Sequence, residues 1–339
     1  NLCRLLSDPD EWIVINVLEI LSQLKESEAI PALVGQFEIA QDARLKAIII
    51  SSLSTFREPK LLHLFEEGLK SFDPRIQANA VEALANLKIP ALELKRKLKK
   101  FLTHTNNRVR ANAAIALSPI EPEAVKTEIE KMLNSSDVPT RRSAAYVLSK
   151  VQMADRDLMI DRLLADSSYM VRKIALKAAL VMDTEIGTNR ILPLLKDKNP
   201  WVRKEAVECG RKISRFPVDP VLELFKGENN PPVIESILDF VVDRRLNQAV
   251  ALIVAKIKAQ PEESLGRMIA TLGRLQAREA LFDVRKYLPP SDDTIMSRFY
   301  VALLLHGELN VFQELQQSLA GRPRDTDLLM LIKAAGEIG

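Results

Sequence analysis

The sequence predicts an all-α fold, an α-α superhelical solenoid of about eleven stacked helical hairpins. Three observations predict this class: an apolar position recurs every 31 to 33 residues, a helix-capping residue stands at a fixed distance before it, and a second apolar-periodic stretch separates successive copies. We expect one continuous solenoid domain over residues 1–339, with an incomplete first hairpin. The chain begins without Met, so we also expect it to be part of a longer protein with flanking domains.

The recurring apolar position marks one helix in each copy. It is occupied by Leu21, Leu53, Leu84, Leu117, Leu148, Ala179, Gly210, Val241, Leu272, Leu303 and Ala334. Two more apolar residues precede it by three and four positions, as Leu18 and Val17 do in the first copy. Offsets of three and four place side chains on one face of an α-helix, so this face is predicted to be buried.

The start of this helix is marked eleven residues before the recurring position. The residues there are Asp10, Asp42, Asp73, Asn106, Asp137, Ser168, Asn199, Asn230, Pro261, Asp292 and Pro323. Nine of the eleven are Asp, Asn or Ser, whose side chains accept hydrogen bonds from the first amides of a helix. Proline follows at positions 74, 200 and 231, where a missing N–H costs no hydrogen bond. We call the helices of this set the inner helices.

A second helix is predicted between successive inner helices, and we call this set the outer helices. Examples are residues 29–40, 60–69, 92–102, 125–133, 158–164 and 249–257. Neither helix of a hairpin can bury its apolar face alone, so neighbouring hairpins stack and share a core. We expect the inner helices to line a concave side.

These repeats resemble the HEAT repeats, in the short variety also found in phycobilin-lyase-type proteins. The residues that carry the resemblance are 107–113, 168–173, 199–206 and 29–33. In the last four copies Ile234, Leu265, Met296 and Asp327 replace the basic residue of the pattern, so their assignment rests on spacing. The resemblance implies the fold and says little about activity, because such repeats serve as scaffolds, adaptors, lyase subunits and nucleic-acid readers.

Chemistry-bearing residues are sparse, which favours a protein without catalytic activity. His63, His104 and His306 fall in different copies and form no metal-spaced pair, so neither a metal nor a cofactor is predicted. Cys3 and Cys209 are too few to staple a chain of this length, which favours a reducing compartment, the cytoplasm. No apolar run reaches the ~18–20 residues that a membrane-spanning helix needs.

Charge is segregated along the chain behind a net charge of +3. Residues 1–87 carry a net −5, residues 88–215 a net +11 and residues 216–339 a net −3. Basic residues at the same position of successive stacked helices lie on one surface, where their electrostatic potentials add. The sequence therefore predicts an acidic partner for the central repeats.

Four successive copies place an arginine at the same position of the inner helix. These residues, which we call the turn arginines, are Arg110, Arg141, Arg172 and Arg203. The resemblance implies that they form a structural ladder, each bonding to the Asp or Asn near a helix start and rigidifying the stack. Contact with a ligand is the alternative.

A second set of inner-helix residues is predicted to contact the partner. It consists of Arg142, Tyr146, Lys173, Lys177, Lys204 and Arg211. Most of these follow a turn arginine by one or five positions, which directs them to the expected concave side.

Three functions are compatible with these features. The leading one is a non-catalytic scaffold or adaptor whose basic central repeats hold an acidic protein segment. The first alternative is nucleic-acid binding, which a sequence pI of about 8.7 permits and the acidic flanks oppose. The second alternative is a phycobilin-lyase-like subunit, although aromatic residues are only 5% of the chain.

Overall fold

The structure is a computed structural model that describes residues 2–87, 89–181, 184–259, 262–290 and 292–308. Within these ranges the regular structure is helical and no strand occurs. The α-helices are α1 (Glu11–Leu24), α2 (Ile30–Ile39), α3 (Ala43–Ser54), α4 (Leu62–Gly68), α5 (Pro74–Asn86), α6 (Ala91–Leu98), α7 (Asn107–Leu117), α8 (Pro122–Leu133), α9 (Val138–Leu148), α10 (Arg156–Leu164), α11 (Tyr169–Leu180), α12 (Thr184–Ile191), α13 (Pro200–Lys212), α14 (Asp219–Gly227), α15 (Pro231–Asp243), α16 (Val250–Lys258), α17 (Leu265–Arg274), α18 (Arg278–Val284) and α19 (Asp293–Leu305).

Short 3₁₀ turns lie next to several helices: most begin or extend an outer helix, whereas Glu262–Ser264 leads into the inner helix α17 and Leu2–Ser7 precedes α1. They are Leu2–Ser7, Ser27–Ala29, Pro59–Leu61, Lys99–Thr103, Leu192–Lys196, Asn247–Ala249, Glu262–Ser264 and Arg285–Tyr287. The odd-numbered α-helices are the predicted inner helices and the even-numbered ones are the outer helices. The all-α fold of repeated helical hairpins is thereby confirmed, including three of the four copies whose assignment rested on spacing, which form α15, α17 and α19.

The recurring apolar position is buried in every described copy. Leu53, Leu84 and Leu117 have no exposed surface, and Leu21 in the first copy is 4% exposed. The residues three and four positions earlier are buried as well, down to Tyr300 and Phe299 in the tenth copy. The predicted face of each inner helix is therefore the face that forms the core.

The predicted capping residues hold the starts of the inner helices. Asp10, Asp42, Asp73, Asn106, Asp137, Asn199 and Asp292 each accept a hydrogen bond from an amide of the first turn. Asn230 occupies the same position before α15 but its side chain accepts no such bond. Pro231 and Pro232 fill the first two positions of α15, so the second-position amide that an N-cap side chain can bind is missing.

Two compact units make up the chain, Asn1–Ala178 and Ala179–Gly339. In the first unit each inner helix packs against the next, from α1 through α3, α5 and α7 to α9. In the second unit α13, α15, α17 and α19 pack in the same order, and the outer helices α14, α16 and α18 pack in a parallel row. Each unit is a stack of hairpins that share one core, as expected for a helical repeat array.

Two expectations extend beyond what the structure describes. The eleventh copy, with Pro323, Asp327 and Ala334, lies outside the described residues, as does the predicted capping position Pro261. The expectation of one continuous domain over residues 1–339 stays a prediction. In the described part of the chain, no helix combines the length and the apolar character needed to cross a membrane.

Candidate partner-binding site

The exposed face of the inner helices in the first unit contains a groove of about 470 Å³ between α7, α9 and α11. Arg142 and Tyr146 line it from successive turns of α9, and Ile174 of α11 closes one side. Tyr146 is 43% exposed, and the Nζ of Lys150 lies 6.0 Å from the centre of its ring. Two of the predicted contact residues therefore lie together in one open groove.

Arg142 is an exposed residue of this groove. Among the described residues, no carboxylate forms an ion pair with it and no group accepts a hydrogen bond from it. An arginine guanidinium carries five N–H donors. Arg142 is thus a cation available to an external acceptor.

Lys173 and Lys177 lie on the next inner helix, α11. Lys173 is half-buried and Lys177 is exposed, and both interact with other groups of the chain. They add two cationic side chains to the same unit as Arg142 and Tyr146.

A second groove, of about 490 Å³, continues the inner-helix face across α1, α3, α5 and α7. Arg44, Arg75 and Arg108 line it, and Arg108 also lines the groove that holds Arg142. Each of the three is the second residue of its inner helix. We call Arg44, Arg75, Arg108 and Arg142 the groove arginines.

Sequence reasoning missed the first three groove arginines, although their phase was visible. Each follows an N-cap residue by two positions, in three successive copies. Arg44 and Arg75 lie within residues 1–87, which have a net charge of −5, whereas Arg108 lies within residues 88–215, which have a net charge of +11. Counting charge by segment therefore did not show the row. The position within the repeat carries information that net charge does not.

The groove arginines differ in how far their charge is compensated. Arg44 is exposed, and in the described part of the chain it has no ion-pair partner. The Nη2 of Arg108 donates to the neutral Oδ1 of Asn79 at 2.7 Å, which leaves its charge uncompensated. The Nη2 of Arg75, by contrast, lies 2.8 Å from the Oδ2 of Asp73, the N-cap of its own helix.

The inner-helix face of the second unit is organised differently, around Arg211. The guanidinium of Arg211 donates to Asp243 at 2.8 Å, to Glu208 at 3.1 Å and to Asp239 at 3.2 Å. Burial lowers the pKa of Arg211, but these three carboxylates together hold that pKa above its ordinary value. Arg211 is thus surrounded by carboxylates of its own chain.

Lys204 belongs to the same network. Its Nζ lies 3.7 Å from the Oε1 of Glu208, four residues later in α13. The Oγ of Ser236 donates to that same Oε1 at 2.8 Å, and Arg267 of α17 pairs with Asp239. Acidic and basic groups on neighbouring inner helices therefore compensate one another here.

The turn arginines make one shared contact in all four copies. The Nη1 of each donates to the backbone carbonyl six residues earlier, in the turn before its helix, at 2.7 to 3.1 Å. The acceptors are His104, Ser135, Asp166 and Asp197. This carbonyl, rather than the side chain at the helix start, is the repeated acceptor.

Arg203 and Arg141 also reach forward to the turn before the next inner helix. Arg203 donates through Nε and Nη2 to the two oxygens of Glu228 at 2.6 and 2.9 Å. Arg141 makes the equivalent pair with Asp166, at 2.7 and 3.0 Å. Such two-point contacts fix the geometry of both partners and connect one repeat to the next.

The carboxylates of these two pairs are held in the ionised form. Burial raises the pKa of Glu228, but hydrogen bonds from Arg203 and from the amides of Asn229 and Asn230 outweigh it, so the pKa lies below its ordinary value. The same balance lowers the pKa of Asp166, with Arg141 and the amide of Ser168 as donors. The bond to Asp166 in turn raises the pKa of Arg141.

Arg110 differs from Arg141 and Arg203, because it makes no two-point contact with a carboxylate of the described residues. Its nearest carboxylate oxygen, on Glu128, lies 3.9 Å from its Nε, and that buried Nε has no hydrogen-bond acceptor. It contacts Asn107 and Thr140 instead through Nη2.

Buried asparagines connect neighbouring inner helices at a position that sequence reasoning also missed. The Nδ2 of Asn79 donates to the carbonyl of Ala47 at 2.6 Å, and the Nδ2 of Asn112 donates to the carbonyl of Ala78 at 2.9 Å. Both asparagines stand five residues before the recurring apolar position. A polar residue at this position of an inner helix was the sequence feature from which these contacts could have been predicted.

Outer helix α6 carries a run of three basic residues, Lys95, Arg96 and Lys97, of which two form ion pairs. Lys97 contacts Glu66 and lies 3.0 Å from Glu93, and Lys95 contacts Glu121. Arg96 on the same helix is exposed, and the described residues offer it no ion-pair partner. Within the described ranges, no group of three or more His, Cys, Asp or Glu side chains is placed to hold a metal ion.

Comparison with known proteins agrees with the fold of repeated helical hairpins. Residues 61–149, which run from the outer helix α4 to the end of α9, match the family described as HEAT repeats. Residues 61–149 therefore contain HEAT repeats. The sequence resemblance and the fold of stacked helical hairpins are thus confirmed. The matched segment includes three of the four groove arginines, Arg75, Arg108 and Arg142.

A solved structure shares the HEAT-repeat fold at low sequence identity. It is described as Kap95p binding to RanGDP, is 12% identical, and aligns with a TM-score of 0.53 over 99% of this chain and 54% of that chain. Another solved structure, that of Kap121p, is 10% identical and aligns with a TM-score of 0.40 over 99% of this chain and 53% of the Kap121p chain.

A curated relative matches a shorter stretch. The bilin biosynthesis protein PecE of Mastigocladus laminosus is 30% identical over 94 residues, which are 28% of this chain and 34% of PecE. The match therefore spans about a third of the length of this relative.

Proposed function

We propose that this HEAT-repeat protein is a non-catalytic scaffold that holds an acidic protein segment on the inner-helix face of its first unit. The observation that carries the proposal is Arg142, an exposed cation without a partner among the described residues, in an open groove beside Tyr146. A cation in a groove with low-dielectric walls attracts an acidic partner more strongly than one on a flat surface.

The other predicted contact residues divide between the two units. Lys173 and Lys177 add positive charge in the unit that holds Arg142, and we retain them in the proposed surface. The contacts of Lys204 and Arg211 with Glu208, Asp239 and Asp243 support an internal structural role for these two side chains instead. The turn arginines are proposed as a structural ladder, on the strength of their shared carbonyl contact.

The fold supports a binding role of this kind. Kap95p, which shares the fold, binds RanGDP. A reducing compartment such as the cytoplasm is part of the proposal, because neither Cys3 nor the buried Cys209 forms a disulfide.

The test is a titration of a fluorescent glutamate-rich peptide with the full chain and with Arg142→Glu. We expect the substitution to weaken binding by at least about tenfold, because it replaces an attraction with a repulsion. The matched control is Arg96→Glu on outer helix α6, which makes the same charge change at another exposed arginine. Equal binding by both variants would overturn the proposal.

A second arm distinguishes nucleic-acid binding. A mixed-sequence DNA duplex is titrated at ~50 mM salt, where phosphate contacts are strong. We expect the peptide to bind and the duplex not to shift at micromolar protein. A duplex that binds more tightly than the peptide would make nucleic acid the partner.

A second candidate function rests on the match to PecE, and it is a role in bilin biosynthesis. Co-expression of the chain with a phycobiliprotein and its pigment, followed by absorbance of the denatured products, tests it. Colour that remains covalently attached only when the chain is present would support this function in place of a scaffold role.

A further inference from the structure

The groove arginines form a row along the first unit, one from each of four successive inner helices. Arg44, Arg75 and Arg108 each occupy the second position of their helix, and Arg142 lies one turn deeper in α9. The helices α3, α5, α7 and α9 pack directly against one another. Packed helices have axes 8–10 Å apart, so neighbouring members of the row are offset by about that distance.

Apolar side chains form part of the lining of both grooves, and we call them the apolar floor. Ile15, Ala47 and Ile48 line the groove that holds Arg44, and Ala111 lines the one that holds Arg142. An apolar floor beside a row of cations suits a chain that has acidic residues on one edge and apolar rings or aliphatic groups on the other.

The charge of the face changes across its width. The row lies at the N-terminal ends of the inner helices, where the helix dipole adds positive potential. Glu19 of α1 lines the groove that holds Arg44, and it lies two turns beyond the second position of its helix. Glu82 is exposed at the equivalent position of α5. A ligand with phosphates on all sides would place some of them beside these carboxylates, whereas a peptide with acids on one edge would not.

The spacing of the row matches one extended conformation. A polyproline II chain has three residues per turn and rises about 3.1 Å per residue, so every third side chain projects from the same edge at intervals of about 9 Å. That interval falls within the 8–10 Å between packed helices. A β-strand, with about 6.6 Å between side chains on one face, does not match it.

We infer that the groove arginines bind an extended peptide segment in polyproline II conformation that has an acidic residue at every third position. This inference rests on the proposed function and specifies its partner. Arg44, Arg108 and Arg142 supply the uncompensated charges, while Arg75 contributes less because Asp73 already pairs with it. Proline or aliphatic residues between the acids pack on the apolar floor.

The probe that tests the spacing is a proline decapeptide with glutamate at every third position. The probe has glutamate at positions 1, 4, 7 and 10, and its control has the same four glutamates and six prolines with glutamate at positions 2, 4, 6 and 8, so the two peptides differ only in the spacing of charge. We expect the first peptide to bind the full chain at least about fivefold more tightly, because only its acids match the row. Equal binding of the two peptides would overturn the inference.

The variants that test the row are Arg44→Glu and Arg108→Glu. Each is expected to weaken binding of the first peptide by about tenfold, and Arg75→Glu is expected to weaken it less. Glutamate at the second position of a helix is favoured by the helix dipole, so these variants keep the fold, which circular dichroism would verify. Arg96→Glu is again the matched control.

The outcome separates the inference from the proposed function. If Arg142→Glu weakens peptide binding and neither Arg44→Glu nor Arg108→Glu does, the row is not the site and the proposed function stands. If none of the three variants weakens peptide binding relative to Arg96→Glu, both the inference and the proposed function are wrong.

Discussion

The inner-helix faces of the two units use charge in opposite ways. In the first unit the groove arginines face open grooves, and among the described residues neither Arg44 nor Arg142 has an ion-pair partner. In the second unit the guanidinium of Arg211 contacts three carboxylates of its own chain. The same helical face thus offers its cations to a partner in one unit and uses them for internal contacts in the other, so residue type alone does not identify a binding surface.

The largest expected effect is on stability, at a turn arginine of the second unit. Arg203→Ala should lower the free energy of unfolding by about 3 kcal/mol, because it leaves the buried carboxylate of Glu228 without its two-point partner. Urea denaturation followed by circular dichroism measures it. Lys226→Ala removes an exposed ion pair with Glu223 on the neighbouring α14 and should cost less than about 0.5 kcal/mol. Equal losses in the two variants would show that Arg203 is not a structural residue.

A smaller loss is expected at the centre of the network in the second unit. Arg211→Gln should lower the free energy of unfolding by about 1 kcal/mol, because Glu208, Asp239 and Asp243 then repel one another at a partly exposed site. The urea midpoint at low and at high salt measures this effect, and added salt should reduce it. A loss of stability that does not depend on salt would mean that Arg211 stabilises the fold through packing and not through its charge.

Acid should remove the stabilisation supplied by the paired carboxylates. The folded-state pKa of Glu228 and that of Asp166 lie below their ordinary values of 4.5 and 3.8. A lowered folded-state pKa contributes stability that is complete above the ordinary value and is lost as the pH falls through the folded value. Urea midpoints between pH 7 and pH 3 should therefore fall, and Glu228→Gln should differ most from the natural chain at pH 7. A difference that stays constant with pH would contradict this assignment, and Glu223→Gln, at an exposed residue, is the control.

The smallest effect on stability is expected in the first unit. Arg44→Glu should change the free energy of unfolding by less than about 0.5 kcal/mol, since the arginine is exposed and the helix dipole favours the new carboxylate. Thermal unfolding followed by circular dichroism measures it. A loss above about 1 kcal/mol would mean that Arg44 holds the fold and is not available to a partner.

The fold could be predicted from sequence because each signal acts locally. The recurring apolar position, the capping residues and the intervening outer helices each depend on spacing within one hairpin, and all three recur in the described structure. The cap at Asn230 was the exception, since Pro232 removes the amide that its side chain would bind.

The binding surface could be predicted only in part. Whether a cation is available depends on carboxylates that lie 25 to 32 residues away, such as Glu228 for Arg203 and Asp243 for Arg211. The sequence placed Arg142 and Arg211 in one set because both project from inner helices, and only the structure shows that the second is paired. The row of Arg44, Arg75 and Arg108 was missed because a net charge counted over a segment does not resolve positions within a repeat.

The most direct test of the contrast between the two units is one peptide titration with two variants, Arg142→Gln and Arg211→Gln. Both remove one guanidinium charge from the exposed face of an inner helix, and the probe is the proline decapeptide with glutamate at every third position. We expect Arg142→Gln to weaken binding by about tenfold and Arg211→Gln to leave it unchanged. Weakening by Arg211→Gln alone, or no weakening by Arg142→Gln, would contradict the assignment of an open binding face to the first unit.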